Sequence, residues 1–331
     1  MIDHETLLEV MAIGEERRAA RRNFLKTAGV AIAAAGGASL LAACDSDNNE
    51  NQSPPPSPTP APTTSVTQND LNVLNFALNL EYLEANYYIA AAYGSSLNAN
   101  LRTGTGTQGQ VTGGRAVAFA DATVASYARE IAADENEHVN FLRGQLGSAA
   151  VAMPAINIDG GATGAFTAAA RSAGVVGPTG TFDPYASDDN WLLGGMLLTD
   201  VGVTAYKGSA QLINSGAILE QAAGILAVEA YHSGLIRTLL YRRGLGTPAL
   251  RTNAGLISDA RDSLDGASDL DQGIVGDATT SNIVPADANG IVFGRTTGQV
   301  LNIAYLSRTA VTQGGFFPAG VNGNIRTSAA N

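Results

Sequence analysis

Cysteine is almost absent from this chain, and charged residues are scarce. The 331 residues include one cysteine, Cys44, which excludes an intrachain disulfide and leaves little for thiol-based redox chemistry. Only 15% of the residues are charged, and the net charge is -11, so the surface repels phosphate backbones and we expect no nucleic-acid partner. Hydrophobic residues reach 45%, enough for a sizeable core in one large domain with appendages or in two small domains.

The first 44 residues have the order of an export signal. Residues 20–26 (ARRNFLK) resemble a twin-arginine signal, and the Ala/Gly-rich stretch 27–43 has the length of a signal h-region. Residues 41–44 (LAAC) resemble a lipobox, in which the peptide is cut before the cysteine and the thiol accepts a diacylglycerol. The alternative is an N-terminal membrane anchor in which Cys44 occurs by chance.

These resemblances imply partners and a location. The twin-arginine translocase is the expected partner, and such systems are known for exporting folded proteins, often with the cofactor inserted. Lipidation of Cys44 implies a membrane-anchored protein in the periplasm or at the cell surface. Asp45 resembles an inner-membrane retention signal and favours that membrane. Segment 45–69 is rich in Pro, Ser and Thr and contains almost no core residues, so we expect a semi-rigid tether.

The rest of the chain predicts an all-α fold. Four stretches have helical periodicity and end near glycine, and the second and third are separated by about 40 Gly- and Ala-rich residues. Four long helices with one long second-to-third crossover are typical of a ferritin-like four-helix bundle. We expect this bundle in residues 70–244, and a C-terminal extension, residues 245–331, that packs on it. The predicted helices are 70–93, 115–146, 188–214 and 218–243, with one further helix at 298–312.

Histidine is rare, and its placement is informative. Only His138 and His232 follow the predicted signal, and both lie in Glu-x-x-His motifs, with Glu135 and Glu229. Positions i and i+3 share one face of a helix, so a carboxylate and an imidazole can reach the same ion. Both motifs continue to an arginine five residues after the histidine, which indicates two half-sites related by pseudo-twofold symmetry.

The same symmetry predicts one carboxylate from each of the other two helices. Glu81 lies centrally on the apolar seam of the first helix, and Glu84, about 60° around that helix, is the alternative ligand. Asp200 is the one acid well inside the third helix. Four carboxylates and two imidazoles match a dinuclear iron or manganese carboxylate site, with iron favoured. The alternative is a set of buried His–Glu pairs that satisfy each other without metal. The predicted ligands are Glu81 (or Glu84), Glu135, His138, Asp200, Glu229 and His232.

Three motifs carry a family resemblance over residues 70–325. Residues 78–88 (LNLEYLEANYY) resemble the first helix of ferritins, which makes Tyr88 the tyrosine near the metals. Residues 200–208 and the ending 314–323 (GGFFPAGVNG) resemble ferritin-like proteins grouped with desiccation-related proteins of bacteria and plants. Arg143 and Arg237 either neutralise ligating carboxylates from behind or are ordinary surface charges.

The function expected from this resemblance is chemistry on oxygen, peroxide or Fe(II) at two divalent metal ions. The competing class is a non-enzymatic envelope protein for desiccation or stress protection, whose metal site is vestigial or structural. A homo-oligomer is compatible with either. Storage inside a closed cage is a weaker reading, because a lipid tether and a long tail would obstruct the shell. Asp200 departs from the glutamate usual in ferritin-like enzymes.

Overall fold

The structure is a computed structural model that describes residues 65–331. Within that range, the α-helices are α1 (Gln68–Tyr93), α2 (Ala122–Leu146), α3 (Ala165–Ala173), α4 (Asp188–Ser209), α5 (Gly216–Arg243), α6 (Pro248–Asp265) and α7 (Thr297–Tyr305). Two short strands, β1 (Val111–Thr112) and β2 (Ile156–Asn157), pair in parallel. The long helices α1, α2, α4 and α5 form a bundle, which confirms the predicted all-α architecture.

The helix ends follow local capping chemistry. Helix α1 starts at a capping box, in which Thr67 and Asp70 each accept a backbone hydrogen bond from the other residue, and it ends at Gly94 with a φ of 66°. Helix α2 begins seven residues later than predicted, because the side chain of Asp121 accepts the Thr123 N–H and fixes the N-terminus there. Residues 115–121 therefore belong to the preceding loop.

The core lies between α1 and α4, the two central helices. Almost every residue of α1 from Val73 to Ala91 is buried, and α4 is buried from Trp191 to Tyr206. Helices α2 and α5 expose one face and pack mainly against α1 and α4, respectively. A helix buried on all sides has no polar face to balance its apolar one, so any carboxylate on α1 or α4 needs a partner inside the protein.

The C-terminal extension is more helical than the sequence indicated. Helix α6 was not predicted, although Pro248 marks its first turn and Leu250, Ala254 and Ile257 recur at helical spacing. Helix α7 was predicted to reach residue 312, but it ends at Tyr305, because the next residue, Leu306, has a left-handed backbone with a φ of 55°.

The chain end packs against the bundle. Asn79 of α1 exchanges two hydrogen bonds with the backbone of Asn322, of 2.9 and 3.0 Å. Phe316 is buried and meets Phe166 edge-on, with 5.1 Å between ring centroids. The extension therefore closes one side of the bundle core.

Among residues 65–331, no helix combines the length and the apolar character needed to cross a membrane. Cys44, the twin-arginine segment and most of the predicted tether lie outside the described residues.

Candidate metal centre

Helix α1 supplies two buried carboxylates, Glu81 and Glu84, one turn apart. They are only 3% and 6% exposed. The hydroxyl of Tyr206 on α4 donates a 2.5 Å hydrogen bond to Glu81 Oε1, and His138 Nδ1 lies 3.2 Å from Glu81 Oε2. Glu84 Oε2 is buried and has no hydrogen-bond partner within residues 65–331.

The two Glu-x-x-His motifs face each other from α2 and α5. His138 Nδ1 lies 3.4 Å from Glu229 Oε1 and 3.6 Å from Glu135 Oε2, while His232 Nδ1 lies 3.1 Å from Glu135 Oε1. The centroids of the two imidazole rings are 6.2 Å apart. The i,i+3 spacing thus brings both motifs to one buried cluster, with Glu135 between the two histidines.

The cluster has the donor atoms of a metal site, and several of those atoms lack a hydrogen-bond partner within the described residues. One ligand atom from each of Glu81, Glu135, His138 and Glu229 lies within 4.8 Å of all the others. Both carboxylate oxygens of Glu135 and of Glu229, and Nδ1 of His232, are buried without an aligned hydrogen bond in the described part of the chain. Buried carboxylate oxygens without a hydrogen bond are costly, and a cation removes that cost. The residues present therefore fit divalent metal ions.

Burial and mutual repulsion disfavour the charged form of most of these carboxylates. Burial, together with the nearby Glu135 and Glu229, raises the pKa of Glu81 to about 8 despite the opposing effect of His138. Burial and the charge of Glu229 raise the pKa of Glu84 well above its ordinary value. Burial and Glu135 also raise the pKa of Glu229. Without metal, protons would have to occupy part of this site.

For the two histidines, the surroundings favour the charged form. Burial alone would lower their pKa values, but the surrounding carboxylates outweigh it. The pKa of His232 is raised to about 10 by Asp134 and Glu135, and that of His138 is raised by Glu81, Glu135 and Glu229. The contacts with His138 and His232 in turn hold the pKa of Glu135 low against the effect of burial. Two imidazolium ions are thus a partial substitute for metal cations.

Where helix α4 faces Glu84 and Glu229 of the cluster, its residue is a glycine and not a carboxylate. A Cβ on Gly202 would stand 3.0 Å from both Glu84 Oε1 and Glu229 Oε2, closer than ordinary van der Waals contact. The absence of a side chain leaves room for both carboxylates. The alternative first-helix candidate, Glu84, therefore joins the cluster together with Glu81, and both come from α1.

The structure does not bring Asp200, the expected third-helix ligand, into the cluster. One of its oxygens accepts a hydrogen bond from Ser233, and the other contacts Arg237 at 2.8 Å and Arg261 at 3.0 Å. Burial would raise the pKa of Asp200, but the two guanidinium groups lower it. Because its charge is already neutralised by α5 and α6, Asp200 needs no metal.

Neither Arg143 nor Arg237 plays the part that the sequence suggested, which was to neutralise a carboxylate of the cluster or to lie at the surface as an ordinary charge. Arg237 is fully buried and is paired with Asp200, not with a carboxylate of the cluster. Arg143 donates to the Tyr82 hydroxyl and to the Thr103 carbonyl, so it holds a loop near α1. Tyr88, expected near the metals, shares a 2.5 Å hydrogen bond with Thr199, and its pKa is raised well above its ordinary value by burial and by Glu84.

Sequence reasoning missed two side chains that contact the cluster. Tyr206 was not among the predicted site residues, but its hydroxyl donates a hydrogen bond to Glu81. Asp134, whose side chain is 46% exposed, lies 3.2 Å from His232 Nε2. Its position directly before Glu135 was the available signal, because it places Asp134 at the edge of the same helix face.

Comparisons with known proteins agree with this geometry. The profile of the Ferritin-like domain matches residues 69–242. The ferritin-like catalase Nec2 of Nesocodon mauritianus is 26% identical over 275 residues, covering 80% of this chain and 86% of the relative. The desiccation-related protein PCC13-62 of Craterostigma plantagineum is 28% identical over 279 residues, covering 78% and 84%. No solved structure gave a significant match. The resemblance expected from the motifs is thus confirmed.

Proposed function

Because the chain belongs to the ferritin-like domain family, we propose that its buried cluster holds two divalent metal ions, iron in preference to manganese, and disproportionates hydrogen peroxide. The observation that carries this proposal is the set of buried carboxylate oxygens without hydrogen bonds. The name of the Nec2 relative, a ferritin-like catalase, supports peroxide as the substrate.

Six side chains are the candidate ligands of the two ions: Glu81, Glu84, Glu135, His138, Glu229 and His232. Glu81 contacts His138. Glu135 approaches both histidines, so it is placed to serve both ions. Glu229 approaches His138 and, beside Gly202, Glu84. Four carboxylates balance the charge of two divalent cations, which removes the repulsion that burial imposes on them.

The reaction converts two hydrogen peroxide molecules into two water molecules and one dioxygen. The metal pair supplies reversible two-electron chemistry when bound. The protein provides a dry site. His232 lies between Glu135 in the cluster and the half-exposed Asp134, so with Nδ1 turned to a metal ion its Nε2–H would donate to Asp134, which fixes the orientation of the ring. Tyr206 holds Glu81 in one orientation through its hydroxyl.

Metal content and peroxide turnover of the purified protein test this proposal. We expect about two Fe or Mn per chain and oxygen release from peroxide. The double variant His138→Ala, His232→Ala should lose both, whereas Glu137→Ala, at an exposed position of the same motif, should keep both. Absence of metal in the wild type, with unchanged thermal stability in the double variant, would refute the metal site.

A second function has an observation in its favour. The desiccation-related relative covers nearly as much of this chain as the catalase does. A non-enzymatic stress-protection protein would retain the metal as a structural cross-link between α1, α2 and α5. It would bind metal but release no oxygen from peroxide, and its Tm would fall when a chelator removes the metal. An assay of Fe(II) oxidation by dioxygen on the same preparation identifies a ferroxidase, which neither a catalase-like enzyme nor a non-enzymatic protein would resemble in this assay.

Export and anchoring complete the proposal. The twin-arginine and lipobox resemblances support translocation of the folded, metal-loaded protein and a lipid on Cys44, with the inner membrane favoured. Incorporation of radioactive palmitate should occur in the producing bacterium and should be lost in Cys44→Ser. Replacement of Arg21 and Arg22 by lysine should retain the protein in the cytoplasm. Gel filtration of a soluble form would show whether it is a homo-oligomer and would reveal a cage.

A further inference from the structure

An apolar cavity of about 30 Å³ lies beside the cluster of carboxylates and histidines, where the C-terminal extension covers the bundle. We call it the inner cavity. Its walls come from α1, α4, α7 and the loop that carries Phe316. They include Leu80, Leu83, Glu84, Val201, Gly202 and Ala304. All these residues are buried. The inner cavity therefore touches the cluster at two points, Glu84 and Gly202.

A second apolar cavity, of about 20 Å³, lies next to the first. This outer cavity shares two wall residues, Leu197 and Ile303, with the inner cavity. At its other end it is lined by Ala173 and Val175, which are half-buried, and by the exposed Ser172. Leu197 and Ile303 thus stand between the two cavities, so movement of these two side chains would join the surface near α3 to the carboxylate of Glu84.

The size of the inner cavity limits its occupant. A cavity needs roughly 10–15 Å³ to hold one water-sized sphere, so the inner cavity has room for a diatomic molecule. Ligand pockets for organic substrates are about ten times larger or more. A metabolite or a drug-sized compound therefore does not fit.

The chemistry of the walls limits the occupant further. Among the described residues that line the inner cavity, Glu84 is the one ionisable side chain, and every other wall side chain is apolar or absent. A buried water needs two to four polar partners, and a metal cation would lose its hydration without compensation along Leu197 and Ile303. Hydrogen peroxide has the same need for polar partners as water. An apolar diatomic molecule has none.

We infer that these two cavities form a path for dioxygen, with the inner cavity as its binding site next to Glu84. The assignment of dioxygen as product or reactant rests on the proposed function. In peroxide disproportionation, the path is an exit that keeps the product apart from the polar His232–Asp134 side. In Fe(II) oxidation, it is the entrance. The preference for an apolar diatomic molecule does not depend on either reaction.

Xenon tests the inner cavity without any metal chemistry, because it is apolar and similar in size to dioxygen. Crystals of the full, metal-free protein under xenon pressure should show a xenon peak in the inner cavity. Ala304→Val should remove that peak by filling the space. Ala77→Val is the matched control, because Ala77 is a buried helical alanine that lines another cavity of about 20 Å³, which has only Leu80 in common with the inner cavity. It should leave the peak unchanged.

Ordered water in the inner cavity of the wild type, or no xenon there, would overturn the inference even if Ala304→Val failed to fold. A peak that persists unchanged in Ala304→Val would do the same. Elemental analysis of each preparation after metal loading separates this result from the proposed function. Xenon binding with no metal uptake would refute the metal site alone, and metal uptake without xenon would refute the dioxygen path alone.

Discussion

Tyr206 on α4 binds Glu81 on α1 through a 2.5 Å hydrogen bond to Oε1, so one central helix positions a carboxylate that the other supplies. Helix α4 has no carboxylate of its own in the cluster, because Gly202 stands beside Glu84 and Glu229 without a side chain and the interior acid Asp200 is paired with arginines. Its contribution is a hydrogen bond and an open space.

Loss of the Tyr206 hydroxyl should weaken metal binding. In Tyr206→Phe, Glu81 keeps its carboxylate but loses the donor that orients it, and partners of this kind typically change metal affinity by about 10–100-fold. Competition with a chelator of known affinity measures the change. Tyr88→Phe is the control, since the Tyr88 hydroxyl contacts Thr199 and no carboxylate. Equal losses in both variants would assign Tyr206 a packing role only.

A methyl group at position 202 should weaken the metal binding to which Glu84 and Glu229 contribute. In Gly202→Ala, the new Cβ would press on Glu84 Oε1 and Glu229 Oε2, so these two carboxylates would have to move. Stepwise metal titration should then show at least one weakened site. Gly224→Ala, on α5 with open space around it, controls for the change in helix propensity. Two unaltered sites in Gly202→Ala would contradict the assignment of Glu84 as a ligand.

Replacement of Asp200 should destabilise the protein without removing metal. Asp200→Asn leaves the buried Arg237 and Arg261 short of a counter-charge, a change that typically costs about 3–5 kcal/mol of unfolding free energy. Denaturant unfolding and elemental analysis of the same sample test both halves. Asp189→Asn breaks a partly exposed pair with Arg243 and should cost about 0–1 kcal/mol. Metal lost from folded Asp200→Asn would restore Asp200 as a ligand.

The metal-free protein should lose stability as the pH rises from about 5 to 8. The pKa of Glu81 is raised from 4.5 to about 8, and that of His232 from 6.5 to about 10, so the folded state binds more protons than the unfolded state across this range. Unfolding free energy then falls with rising pH.

Thermal unfolding of chelator-treated protein at several pH values measures this slope. Metal ions replace those protons, so the loaded protein should show a much smaller slope. Glu81→Gln should reduce the slope of the metal-free protein, and Glu137→Gln, at an exposed position, should leave it unchanged. A metal-free protein that gains stability towards pH 8 would contradict the raised pKa values.

Local periodicity determined a large part of this protein. The spacing of apolar residues predicted the four bundle helices, and the i,i+3 geometry of Glu135 with His138 and of Glu229 with His232 placed each pair on one face. The long crossover followed from a Gly- and Ala-rich gap. These features depend on contacts within a few residues, which a sequence shows directly.

Tertiary structure decided which acids meet in the cluster and how it is closed. The sequence placed Asp200 among the expected ligands on symmetry and kept Glu84 as the alternative to Glu81. The outcome depends on Arg261, which reaches Asp200 from 61 residues further along the chain, on a helix that was not predicted. Since a buried carboxylate takes whichever cation the fold brings to it, arginine neutralised Asp200, and Glu84 was left beside Gly202 with an oxygen that only a proton or a metal ion can satisfy.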